Sequence, residues 1–319
     1  MSDISEPIAY LNGEFIPVSQ AKLSVFDQGV VQGASVTEMV RTFKHQPFRM
    51  DDHLNRLQQS IRYVGFEPDE TREDLLSIAS KIVEQNAKLI PASHDLGLTL
   101  FVTPGDNPTY KGGALTSPLR TSTVCVHTFP LPFEIWADAF ETGQHLITPS
   151  LRHIPPESLD ARIKSRSRLN WYLADREAQL ADPKARALVL DGNGNVTETS
   201  TANFLIASEG RIIAPDPTKT LGGVSRLVVS ELAGRLGLEL TTADLKVYDV
   251  LTADEAFTSS TPYCLLPVTR VNGKPIGDGM PGPVFRKIMD AWNDLVGVDI
   301  IAQMTNGARE RLSGHSVSS

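Results

Sequence analysis

The stretch Ala161–Ala178, ARIKSRSRLNWYLADREA, holds one lysine, Lys164, with three arginines close by, Arg162, Arg166 and Arg168. The four basic residues stand two apart, which is strand spacing. From Leu169 the pattern changes. Leu169, Tyr172, Leu173 and Arg176 recur at three- and four-residue intervals, with Ala174, Glu177 and Ala178 supporting a helix. The segment is expected to pass from extended to helical just after Lys164. A lysine at such a junction can project into a cleft, and a lysine beside arginines equally suits a solvated face. Residue type and spacing leave both open.

The 319 residues suffice for roughly two domains, each with its own core. A formal net charge of −8 argues against nucleic acid or an anionic membrane as the main partner. No window approaches the roughly 18 apolar residues of a membrane span, and MSDISEPIAY lacks a basic-then-apolar signal pattern. Cys125 and Cys264 sit in apolar, strand-like runs with no histidine or cysteine at metal-ligand spacing. They read as reduced core thiols of a cytoplasmic protein, without a structural metal.

Outward from the lysine segment, the N-terminal half reads as an α+β domain over residues 1–128. Ile8–Leu11, Asn12-Gly13 and Glu14–Val18 predict a hairpin. Val30–Phe43 predicts a strand broken by Gly33, with Val36, Glu38, Val40 and Thr42 on one face and Thr37, Met39, Arg41 and Phe43 on the other. Arg41 is then either an edge charge or a group aimed into a cavity. Asp51 and Asp52 open a helix whose buried stripe is Leu54, Leu57, Ile61 and Val64. His53 and Arg56 on it suit a surface, and a buried Arg56 would need an anion. Another helix spans about 73–87, and Leu98–Thr103 and Arg120–His127 read as paired strands.

Residues 129–136, around FPLPF, read as an interdomain loop, residues 137–306 as a larger domain, and 307–319 as a loose, serine-rich tail. In the larger domain Glu198 is one carboxylate among hydroxyl residues in VTETSTANFLI. Leu221-Gly222-Gly223-Val224-Ser225 puts two glycines before a helix, where backbone N–H groups can approach a phosphate. Leu227, Val228, Leu232 and Leu236 form that helix's expected stripe. Ser259, Ser260, Thr261 and Pro262 end an apolar strand, and Pro283–Val296 is a closing amphipathic helix.

Taken together, a lysine amine able to form a Schiff base, a carboxylate able to hold a pyridine nitrogen protonated, and a glycine-led helix start with hydroxyls and an arginine meet the needs of pyridoxal phosphate. The chain resembles the class IV, or fold type IV, pyridoxal-phosphate aminotransferases. That group includes branched-chain aminotransferases, D-amino acid transaminases, (R)-selective amine transaminases and aminodeoxychorismate lyase. The resemblance rests on FDQGVVQGASVTEMVR, HLNRL, IKSRSRLNWYLADREA, VTETSTANFLI, LGGVSR and SSTPYCLLPV, in the family's order from about Tyr10 to Trp292.

The resemblance implies an α+β fold of type IV: a small N-terminal domain, and a larger one with a β-barrel-like core flanked by helices. It implies that Lys164 is the Schiff-base lysine and the proton-transfer group, that Arg56 binds the cofactor phosphate, and that Glu198 partners the pyridine nitrogen. Leu221 then packs on the ring face, Val224 and Ser225 form the phosphate-binding helix start, and Thr261 completes the phosphate cup. Arg41, Thr37, Met39 and Pro262 fall where substrate is bound. The partners implied are an amino donor, a 2-oxo acid acceptor such as 2-oxoglutarate, and a second copy of the chain in a homodimer.

GASVTEMVRTF is similar to the branched-chain enzymes, which makes a branched-chain amino acid the first expectation. Thr37, Met39 and Gln32 depart from that pattern, as does Leu169, where those enzymes carry a tyrosine. D-amino acid or (R)-amine transamination is the alternative, although Pro104 stands where D-amino acid enzymes carry an arginine. The lyase is the third reading.

Overall fold

The computed structural model describes residues 6–112 and 118–315. The chain forms two compact units, Met1–Leu131 with Ile163–Ser167, and Pro132–Arg162 with Arg168–Ser319. The lysine segment therefore belongs to the first unit although the chain on either side of it belongs to the second. Its backbone explains this: Thr37 N–H donates to Lys164 O at 2.9 Å and Arg166 N–H to Ser35 O at 2.9 Å.

In the first unit β1 (Ile8–Leu11) and β2 (Glu14–Pro17) are joined by Asn12 and Gly13, both left-handed at φ 52° and 94°. That is the geometry a two-residue hairpin needs. One helical turn, α1 (Gln28–Val31), comes next. Val30 and Val31, expected in a strand, lie in this turn because the Asp27 carboxylate accepts from Gly29 N–H at 2.7 Å and caps it. Then come β3 (Val36–Phe43), β4 (Gln46–Pro47), α2 (Met50–Val64), α3 (Arg72–Asn86), β5 (Leu96–Thr103) and β6 (Thr123–Pro130). The strands pair antiparallel in the order β2-β1-β6-β5-β3-β4. Val36, Val40, Leu98 and Leu100 pack on Leu54 and Leu57 of α2 and on Leu75 and Ile82 of α3. The opposite face carries Thr37, Met39 and Arg41, with Phe101, Thr99 and Gly97 as their register partners.

The second unit runs through α4 (Ala139–Thr142), β7 (Gln144–Ile147), α5 (Leu169–Ala181), β8 (Arg186–Leu190), β9 (Val196–Thr199), β10 (Asn203–Ser208) and β11 (Arg211–Pro215). It continues through α6 (Val224–Arg235), β12 (Leu240–Ala243), α7 (Val247–Leu251), β13 (Glu255–Ser260), β14 (Cys264–Val271), β15 (Lys274–Pro275), α8 (Pro283–Val296) and α9 (Ile300–His315). Strands β10, β13, β14, β7, β8 and β9 pair in that order and β9 returns to β10, so six strands close a barrel. Its seam is the single pair Glu198↔Asn203. Leu146, Leu188, Val196, Phe204, Ile206 and Val268 belong to one core cluster in this unit.

Three further expectations change. On α5 the buried face is Ala174 and Ala178, both at 0%, while Leu169 and Tyr172 stand 71% and 61% exposed. The two alanines pack with Ala187 and Val189 of β8, and small side chains let helix and sheet approach closely. On α6 the buried stripe is Val228, Val229, Leu232 and Ala233, while Leu227 and Leu236 are exposed. The segment from Gly307, expected to be a loose tail, is helical to His315, and residues 316–319 lie outside the described residues. Ile300, Met304 and Ala308, four apart and buried, anchor that helix. Arg311 holds its far end to Glu134 at 3.1 Å. Among the described residues no helix is long and apolar enough to cross a membrane, and no cluster of side chains suits a metal ion.

Candidate active site

The first unit brings Lys164, Arg56, Thr37, Met39 and Arg41 into one body. Lys164 is half-buried on an extended segment, its N–H donating to Ser60 Oγ at 3.3 Å. Arg56 grips Glu38 through two parallel bonds, Nε to Oε1 and Nη2 to Oε2, both 2.7 Å. His53 Nδ1 adds a third contact to Glu38 Oε2 at 2.7 Å. Burial on its own would raise the Glu38 carboxyl, but Arg56 and His53 reverse that and hold it at about 2. Burial lowers His53, against the pull of Glu38. The network thus fixes an ionised carboxylate behind the Arg56 guanidinium.

Glu38 was not singled out by the sequence, and His53, which suited a surface there, is 2% exposed because Glu38 draws it inward. The signal was there: a carboxylate in the buried alternation Val36-Glu38-Val40, and His53 and Arg56 three apart on one face of α2. Arg41, open between edge and cavity in the sequence, is 1% exposed. Its Nε donates to Thr42 O at 3.3 Å, Asp95 lies 4.0 Å away, and its guanidinium stacks 4.0 Å from the Phe43 ring centroid. Thr37 is buried with its hydroxyl on Leu100 O, and Met39 is half-buried. A cleft of about 1030 Å³ in this unit, lined by Tyr10, Phe15, Glu70 and Lys81 among others, contains none of these residues.

The second unit brings together Glu198, Leu221, Val224 and Ser225. Leu221 N–H lies 3.2 Å from both Glu198 oxygens, and Asn203 Nδ2 donates to Glu198 Oε2 at 3.0 Å and to Leu221 O at 2.8 Å. Asn203 therefore ties the carboxylate to the strand of backbone that leads into α6. A methyl at Gly223 would lie 1.9 Å from Asn203 Oδ1, so only glycine fits there, while Gly222 opens onto free space. Val224 and Ser225, both buried, supply the first N–H groups of α6, a twelve-residue helix whose positive dipole end lies at Gly223. His153 Nε2 is 3.9 Å from Glu198 Oε1, and its Nδ1 meets Ile154 O at 2.8 Å. Thr261 and Pro262 are half-buried in the turn between β13 and β14, which closes at Ser260↔Cys264 with Cys264 left-handed at φ 67°. Ser259, the register partner of Asn203, is 2% exposed with its hydroxyl unpartnered among the described residues. The first unit thus holds an amine and a guanidinium, and the second, by itself, a buried carboxylate, a glycine-led helix start and an orphaned hydroxyl.

Residues 35–271 match the family model described as amino-transferase class IV. The chain belongs to the class IV aminotransferases. It is 30% identical over 290 residues to branched-chain-amino-acid aminotransferase-like protein 2 of Arabidopsis thaliana, covering 90% of this chain and 50% of that one. The chain thus spans about half the length of that relative. Against the D-alanine aminotransferase of Bacillus licheniformis it is 29% identical, covering 89% of this chain and 95% of the other. Among solved structures, a T.th. branched-chain amino acid aminotransferase with pyridoxamine 5'-phosphate superimposes with a TM-score of 0.79 at 26% identity, covering 92% and 95% of the two chains.

Proposed function

We propose that the chain is a pyridoxal-phosphate-dependent transaminase that moves an amino group from a branched-chain amino acid to a 2-oxo acid. The observation carrying this reading is the Leu221 junction, where one residue's N–H holds the Glu198 carboxylate and the next two, Gly222 and Gly223, lead directly into helix α6. The cofactor supplies an aldehyde that links covalently to an amine and a pyridinium that takes up an electron pair. Lys164 is the amine that holds it and that moves the proton at the substrate carbon. Arg56 and the N–H groups of Val224 and Ser225 take the phosphate, with Ser259 and Thr261 as hydroxyl donors. Leu221 lies on the ring face. Glu198 keeps the ring nitrogen protonated, and its bonds to Leu221 and Asn203 stop it from turning away. A homodimer and a cytoplasmic location are part of the same reading.

The test is borohydride reduction of the purified yellow protein, followed by peptide mapping. Reduced cofactor attached at Lys164, and a colourless Lys164→Ala variant, are expected; colour retained in that variant refutes the assignment. Spectral half-reactions with L-leucine, D-alanine and (R)-1-phenylethylamine then identify the donor. The D-alanine aminotransferase relative, at 29% identity over 95% of its length, favours D-amino acids as the second reading. Pyruvate release without any keto-acid acceptor would mark the lyase instead.

A further inference from the structure

On the first unit's sheet face, Thr37, Phe101 and Cys125 lie side by side across β3, β5 and β6, with Thr99 and His127 in the next row. Arg166 stacks over this face, its guanidinium carbon 5.4 Å from the Phe101 ring centroid. The register Val36↔Ser165, with the bonds between Thr37 and Lys164 and between Arg166 and Ser35, makes Lys164–Arg166 a short extended segment beside β3. Residues two apart in such a segment project to one side, roughly 7 Å apart at Cα. Lys164 and Arg166 therefore share the side of Thr37.

The charges around Arg166 are unbalanced. Burial raises the Cys125 thiol to about 11, against the opposing pull of Arg166, so the sulfur stays neutral. His127 is lowered by burial and is neutral as well. Arg166 meets no carboxylate within salt-bridge distance among the described residues. Its sequence neighbour Arg162, by contrast, is paired to Asp160. Arg41, on the same face, is sealed from solvent beside Asp95, whereas Arg166 is exposed. An accessible guanidinium on an aromatic platform, without an anion and next to the reactive amine, is a carboxylate receptor in want of its ligand.

We infer that Arg166 takes a carboxylate of the amino donor or 2-oxo acid, seated over Phe101. This rests on the transaminase reading, deepens it, and makes Arg166 rather than Arg41 the substrate anchor. It also places acids above simple amines as substrates.

The test is calorimetric titration of the holoenzyme with two unreactive probes, 4-methylvalerate and glutarate. Arg166→Gln is expected to weaken at least one of them by about 10- to 100-fold, with the visible cofactor band unchanged. Loss confined to glutarate assigns the distal carboxylate, and loss of both assigns the carboxylate the two acids share. Arg166→Lys, which keeps the charge without the fork, should show a smaller loss. Equal binding of both probes by wild type and Arg166→Gln, or no binding by wild type, overturns the inference. A wild-type protein that never shows a cofactor band with added pyridoxal phosphate sinks the transaminase reading too, and is read before any titration.

Discussion

Gly223 lies so close to Asn203 that a Cβ on it would come within 1.9 Å of the amide oxygen Oδ1. Its φ of −68° suits any residue, so the obstacle is space alone. Asn203 cannot retreat without giving up its bonds to Glu198 and to Leu221 O. Gly223→Ala should therefore cost about 2 kcal/mol, two hydrogen bonds' worth, and loosen the Glu198 carboxylate at the same time. Urea melts and titration with pyridoxal phosphate measure the two effects. An alanine variant as stable and as tightly loaded as wild type would show that Asn203 does not fix Glu198.

The Glu38–Arg56–His53 network predicts acid sensitivity with a definite sign. Arg56 and His53 hold the Glu38 carboxyl at about 2 in the folded chain, against 4.5 when free. Its contribution is fully present above 4.5 and is lost as pH falls toward 2. His53, lowered from 6.5, works in the same direction, because the unfolded chain binds its proton first. Wild-type stability should thus decline steadily below about pH 6. Glu38→Gln should be less stable at neutral pH by about 3 kcal/mol, since it leaves Arg56 without its charge partner. It should also show a flatter profile in acid. Parallel slopes for the two proteins would contradict this account.

Much of this was legible in local chemistry. Asn12-Gly13 declares its hairpin because few other pairs accept two left-handed residues, and Pro283–Val296 declares its helix by an apolar stripe that really is buried. Lys164, Glu198 and Leu221-Gly222-Gly223 gained meaning once their order matched a family. What stayed hidden depends on the third dimension. On α5 the larger side chains face outward and two alanines face in, because the distance to β8 selects for size and not for hydrophobicity. Glu38 in the sequence is one polar residue among valines, and only the packing of α2 shows that it carries Arg56. The barrel seam Glu198↔Asn203 joins strands through a single pair that no local pattern announces.

Helix α9 offers a test of the correction at the C-terminus. Met304 is fully buried, and the helix packs against the turn at Phe133–Ile135, with Arg311 stacked 5.6 Å over the Phe133 ring. Met304→Ala should destabilise the protein by about 2–5 kcal/mol, the usual range for emptying a buried methionine site. Arg311→Ala, at a partly exposed ion pair, should cost under about 1 kcal/mol. If truncation before Ile300 left the thermal midpoint unmoved, α9 would not be part of the second unit's core.

His153 should leave a signature of the opposite sign to Glu38. Its Nδ1 faces the carbonyl of Ile154, which can only accept, so Nδ1 carries a proton and Nε2 is left toward Glu198. Burial draws the imidazole down, but Glu198, with help from Ile154 O and Asp191, more than offsets it and lifts His153 above its usual value. A histidine raised on folding contributes stability that is complete below the unfolded value of 6.5 and disappears as pH rises through the folded value. His153→Gln removes that contribution while keeping a polar side chain. The stability gap between wild type and variant should therefore be wider near pH 6 than near pH 9. Chemical-shift titration of the His153 ring would follow the same group directly. A midpoint at or below the free-histidine value would show that Glu198 does not outweigh burial there.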